Sequence, residues 1–162
     1  MAAFRQPKLI SEGSRAPAFR LARLDGGEAA LADLIANAPV LLVFFKITCP
    51  VCQLTLPFLD RLQTPGALSI YGISQNDPED TRDFMRRFGV SFPMLLDREE
   101  DGFPASNAFG ISSVPTLLLV ERDGTISRVV EGWQKKQVEW LSGKAGVAPF
   151  RQGDNVPEWK AG

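Results

Sequence analysis

Two cysteines stand among 162 residues, Cys49 and Cys52, three apart in the stretch ITCPVCQ (47–53). A crosslink over so short a loop is a poor staple, because the stabilisation from loop closure grows with loop length. Such a pair has three options: reversible oxidation to a disulfide, half of a metal site, or no chemistry at all. Zinc takes about four ligands, mostly Cys and His. The chain has no histidine and no third cysteine, so a Cys₄ centre would have to be shared across a dimer. A Cys–His hydrolase is excluded by the same composition. Two inert thiols at accidental spacing are the bland alternative. A redox pair fits the residues best.

Whether the pair reacts depends on the elements that position it. VLLVFF (40–45) is an apolar run too short for a helix and suited to a central strand. A helical pattern starts at Pro50, a residue accepted at the first helical position because its missing N–H would be unpaired anyway. Val51, Leu54, Phe58 and Leu62 recur at steps of three and four and give one apolar face; Pro57 inside it predicts a kink. Cys49 therefore falls at the strand's end and Cys52 in the first turn of the helix. Unpaired N–H groups and the positive end of the helix dipole favour thiolate over thiol there, and the thiolate is the nucleophile. Cys52 faces the same side and is placed to attack a mixed disulfide formed at Cys49, the geometry of dithiol–disulfide exchange.

The remaining pattern alternates. Two short strands flank Asp25-Gly26-Gly27, and a short helix follows at 31–36. LSIYGI (68–73) is a strand, then a helix starts with Asp77 as N-cap, Pro78 first, and Glu79 and Asp80 in the positive first turn. Phe84 and Phe88 stack at i, i+4. FPMLLD (92–97) reads as a strand and ASNAFG (105–110) as a helix. VPTLLLVERDGTISRVVEG reads as a hairpin turning at Asp123-Gly124, with Pro115 just before its first strand. A last helix over 134–142 offers Trp133, Val138, Trp140 and Leu141 to a core. Strands alternating with helices predict an α/β fold, a partly parallel sheet covered on both faces. The expected layout is an extended lead-in (1–15), one domain (16–146) and a tail (147–162) without clear period.

With 18 basic and 19 acidic residues the net charge is -1, so neither nucleic acid nor an anionic membrane is expected as partner. No apolar run suits a signal peptide or reaches the 18 residues of a membrane span. A cytoplasmic monomer without membrane span is the expectation.

A CxxC after an apolar strand, a helix with an internal Pro, and VPT before the terminal hairpin resemble the thioredoxin superfamily. LPFLDRL, YGISQNDPEDTRDFMRRFGVSFPMLLD and FGISSVPTLLLVERDGTISRVVEG resemble its TlpA/ResA-type thiol–disulfide oxidoreductases, near the AhpC/TSA redoxins, over roughly residues 15–145. The resemblance implies a thioredoxin-like fold: a central mixed sheet, helices on both faces, and an N-terminal β-hairpin extension. It implies Cys49 as attacking and Cys52 as resolving thiol, a cis Val114–Pro115 bond beside them, and substrate contact by Thr48, Pro50, Val114 and Pro115. In that family the backbone before the proline pairs with an extended substrate segment. A protein disulfide substrate and a redox-recycling partner follow; no metal or other cofactor is implied, and a reductase is expected.

Departures accompany the likeness. Val43 and Thr55 stand where relatives carry a proton-relay acid, leaving solvent, Lys46 or an acid such as Asp77 as routes from Cys52. Thr48 replaces the usual Trp before the first Cys. An AhpC/TSA-type peroxidase is the competing enzyme. It needs a Thr or Ser three residues before its peroxidatic Cys, where Lys46 and Cys49 stand, although Arg98, Arg122 or Arg128 could supply its cation. A binding module using Phe150 and Trp159 of the tail is the third reading.

Overall fold

Successive side chains of a strand point to opposite faces of its sheet, so an unbroken apolar strand needs a core on each side. A computed structural model describes residues 8–162 and shows how the chain provides both. Its elements are β1 (Arg20–Arg23), β2 (Glu28–Ala30), α1 (Leu31–Leu34), β3 (Val40–Phe45), α2 (Pro50–Asp60), β4 (Ser69–Ser74), α3 (Pro78–Phe88) and β5 (Met94–Leu96), followed by a 3₁₀ turn (Glu99–Asp101), α4 (Pro104–Phe109), β6 (Thr116–Val120), β7 (Ile126–Glu131), β8 (Trp133–Gln134), α5 (Lys135–Ala145) and β9 (Trp159–Lys160). Leu41, Val43 and Phe45 of β3 pack with Leu56 and Leu59 of α2, Phe84 of α3 and Leu141 of α5. Val40, Leu42 and Phe44 pack on the other face with Leu31 of α1 and Phe109 of α4.

The sheet runs β2-β1-β5-β4-β3-β6-β7. Strands β3, β4 and β5 are parallel; β6 joins β3 antiparallel, and the hairpin β6–β7 closes that edge. The hairpin β1–β2 extends the other edge antiparallel to β5. The mixed sheet, the helices on both faces and the N-terminal hairpin are thus as expected. Helix α2 runs on through Pro57 to Asp60. Helix α3 starts as its sequence requires, with the Asp77 carboxylate accepting the Asp80 N–H at 2.8 Å. Among the described residues no helix is long and apolar enough to cross a membrane.

One core assignment is corrected. Trp133 is fully buried, but Trp140 is 39% exposed. The inner face of α5 is made by Val138, Leu141 and Ala145, at steps of three and four, and Trp140 falls off that face. The Arg128 guanidinium lies 3.6 Å from its ring centroid, a cation–π contact that suits a half-solvated indole.

The ends of the chain are tied down where they are described. Residues 1–7 of the expected lead-in lie outside the described residues; beyond them Ile10 N–H donates to the Phe109 carbonyl at 3.0 Å, and Arg15 bridges to Thr125. In the tail, Phe150 packs on Phe58 and Trp133, and Asp154 pairs with Arg61 at 2.7 Å. The tail then turns back, and β9 pairs antiparallel with β8.

Candidate active site

Helix α2 begins on a sulfur. Cys49 is its N-cap, in extended conformation, and its Sγ accepts the Cys52 N–H at 3.2 Å, the role usually taken there by a Ser or Asp oxygen. The same sulfur donates to the Val114 carbonyl oxygen at 3.4 Å, bringing together two segments 65 residues apart. The Val114–Pro115 bond is cis. Cys49 is half-buried, whereas Cys52 is fully buried; both are free thiols. Of the residues expected at the site, Cys49, Cys52, Val114 and Pro115 meet. Thr48 and Pro50 flank Cys49 on the exposed rim.

Two amide side chains that sequence reasoning missed hold the loop before Cys49. Asn76 Oδ1 accepts the Ile47 N–H at 3.0 Å, and Gln53 Nε2 donates to the Ile47 carbonyl at 3.0 Å. Neither carries a distinctive signal: Asn76 reads as a turn residue before α3, and Gln53 as a polar helix position. On the facing loop, Gly132 N–H donates to the Pro115 carbonyl at 2.8 Å and Thr116 Oγ1 to the Ser113 carbonyl at 2.8 Å.

Burial pushes the Cys52 thiol well above the ordinary range, and a hydrogen bond with Cys49 adds to this, while a backbone hydrogen bond from Lys46 opposes it. None of the candidate relay side chains is hydrogen-bonded to Cys52. Val43 is an apolar core residue, and the buried Thr55 donates its hydroxyl to the Val51 carbonyl at 2.7 Å. Lys46 is exposed, and Asp77 is taken up by the α3 cap. The fully buried acid, Asp97, accepts from Ala105 N–H, Ser106 N–H and Ser106 Oγ. Among the described residues, then, no carboxylate is hydrogen-bonded to either sulfur.

The arginines a peroxidase would need are engaged elsewhere. Arg98 pairs with Glu100 and Asp101, Arg122 donates to the Ala36 carbonyl, and Arg128 donates to Gln137 Oε1 beneath its contact with Trp140. No group of three or more His, Cys, Asp or Glu that could hold a metal occurs among the described residues.

Comparison with known proteins places this geometry. The AhpC/TSA family matches residues 13–129. The thiol-disulfide oxidoreductase ResA of Halalkalibacterium halodurans is 30% identical over 139 residues, 83% of this chain and 77% of that protein. ResA of Geobacillus thermodenitrificans is 29% identical over the same shares. Among solved structures, a thioredoxin-family thiol:disulfide interchange protein of Chlorobium tepidum superposes with a TM-score of 0.66 at 21% identity, over 84% of this chain and 98% of that one. The thioredoxin domain of a thiol-disulfide oxidoreductase of Bacteroides vulgatus gives 0.65 at 24% identity, over 76% and 91%. At such identities these two likenesses show the fold alone, the thioredoxin fold.

Proposed function

The chain belongs to the AhpC/TSA family and is similar to the ResA thiol-disulfide oxidoreductases; on that premise we propose that it exchanges a Cys49–Cys52 dithiol for the disulfide of a protein substrate. The observation that carries this is the asymmetry of the pair: a half-exposed Cys49 sulfur that already accepts the N–H of a buried Cys52, 3.2 Å away. Cys49 thiolate attacks one sulfur of the substrate disulfide and expels the other as thiolate. The developing charge on Cys49, on entry and on departure, faces a backbone N–H that needs no rearrangement. Cys52 then gives up its proton, attacks Cys49 Sγ and releases the second substrate thiolate. The enzyme is left oxidised, and the substrate carries two thiols, one protonated by Cys52 and the other by the proton that Cys49 gave to solvent on forming its thiolate. With no carboxylate on either sulfur, the departing substrate sulfur is the base nearest in kind for the Cys52 proton.

The chemistry argues against a peroxidase in this frame. Cys52 is shut from solvent, Lys46 stands where Cys49 would need a Thr or Ser, and the three candidate arginines have other partners. We further propose the reducing direction, a cytoplasmic location, a monomer, and a second dithiol protein that resets the pair. The similarity to thiol-disulfide oxidoreductases supports a redox partner of this kind.

The test is mechanism-based trapping with a disulfide-bearing protein such as insulin. Cys52→Ser is expected to accumulate a mixed disulfide at Cys49, read by mass, and Cys49→Ser to form none. Peroxide consumption that survives Cys49→Ser and is lost in Cys52→Ser would assign the chain to the peroxidases instead.

A further inference from the structure

The described tail reaches the reacting sulfur's neighbour. After Phe150 and Asp154 it is fixed by three further contacts: Trp133 Nε1–H donates to the Pro157 carbonyl at 2.6 Å, Val156 joins the core, and Lys135 N–H donates to the Glu158 carbonyl at 3.0 Å. Pairing of β9 with β8 then carries residues 159–162 along Gly132 to Val114. Two close approaches define the path. A methyl group on Gly132 (φ 71) would overlap the Lys160 carbonyl oxygen and come within 3.1 Å of Gly162 N. One on Gly162 would overlap the Val114 carbonyl oxygen and lie 2.8 Å from its carbon and 3.2 Å from Pro115 N. That oxygen is the one to which Cys49 Sγ donates. The last residue described thus touches the acceptor of the nucleophile's hydrogen bond, where an extended substrate segment would have to lie.

The base and the tip of the tail are held differently. Phe150, Asp154, Val156 and Pro157 are partly covered, whereas 158–162 are exposed, Trp159 by 62%. A two-residue ladder and backbone contacts hold the tip. Such a segment opens at low cost while its base stays in place.

We infer that residues 159–162 are a resident occupant of the groove beside Val114–Pro115, a tethered stand-in that an extended, disulfide-bearing segment of the substrate must displace. This rests on the exchange reading above. Small side chains are required where the tip meets Val114, because the approach is to backbone, which cannot swing away. An incoming segment that replaces the tip meets the same limit. Intramolecular occupancy lowers the apparent reactivity to the intrinsic value multiplied by the fraction of time the groove is open.

Two comparisons test it: Gly162→Val, whose side chain collides with the Val114 carbonyl, and removal of 159–162, which leaves the anchored base. Each is compared with the parent protein for the rate of Cys49 alkylation by iodoacetamide and the rate of insulin reduction. Both rates are expected to rise severalfold in both variants, in inverse proportion to the fraction of time the groove is open in the parent. Alkylation no faster than in the parent overturns the proposal, and the deletion decides if the variants differ. Faster alkylation without faster insulin reduction overturns the shared groove. If neither parent nor variants reduce insulin at all, the exchange reading has failed, and alkylation still judges the tip.

Discussion

At the scale of residues, Cys49 and Cys52 were legible because a composition without histidine left the pair little else to do. Their inequality was not. It comes from the N-cap position of Cys49 and the complete burial of Cys52, which only the packed sheet and helix define. That burial has a measurable consequence. In the reduced protein the Cys52 proton is held more tightly than in the unfolded chain, where a thiol titrates near about 8.5. Below that value both states keep the proton and stability is unaffected. Above it the unfolded chain loses a proton that the folded state retains, so stability falls as pH rises, by at most about 1.4 kcal/mol per pH unit. Urea unfolding of the reduced protein is expected to show this loss above the ordinary thiol value, and Cys52→Ala to lack that part of it. An equal loss in both proteins would contradict it.

Single elements show where local reading stops. The apolar run at β3, the cap of α3 and the hairpin turn at Asp123-Gly124 are local signals, and each stands as read. Helix α4 is different. Its N-cap, Phe103, sits in left-handed conformation (φ 50) and offers no side-chain cap. Asp97, just beyond β5, does that work from eight and nine residues upstream by accepting the Ala105 and Ser106 N–H groups, at 2.9 and 2.8 Å, and the Ser106 hydroxyl at 2.6 Å. Through Ser106 Oγ it also fixes Gln75 Nε2, at 2.8 Å. Nothing in FPMLLD distinguishes such an acid from the start of a turn. Asp97→Ala leaves these buried donors unpaired and is expected to cost about 3 kcal/mol, with Asp97→Asn milder because it keeps an acceptor. Chemical denaturation checks this; a loss below about 1 kcal/mol would mean that solvent satisfies the donors instead. Trp140 shows the same limit from the other side, since only the face chosen by Val138 and Leu141 decides that it points outward.

For the whole molecule, the α/β class follows from alternating strands and helices, but the path of the tail does not follow from any periodicity. Residues 147–162 are held by contacts with distant partners: Phe58 and Trp133 under Phe150, Arg61 with Asp154, and β8 with β9. Long-range contacts of this kind leave no local trace. They bring the tip to Val114, so the groove, the nucleophile and the tail form one assembly on top of a conventional frame. What that assembly is for depends on the Cys49–Cys52 couple, and the most direct measurement is its titration against dithiothreitol and glutathione buffers, with the bond read by mass and by Trp fluorescence. The expected result is a single two-electron transition between dithiol and Cys49–Cys52 disulfide, near thioredoxin's value of about −270 mV for a reductant. A transition towards roughly −120 mV would reverse the proposed direction. Failure of the two sulfurs to join at any poise would contradict dithiol–disulfide exchange itself.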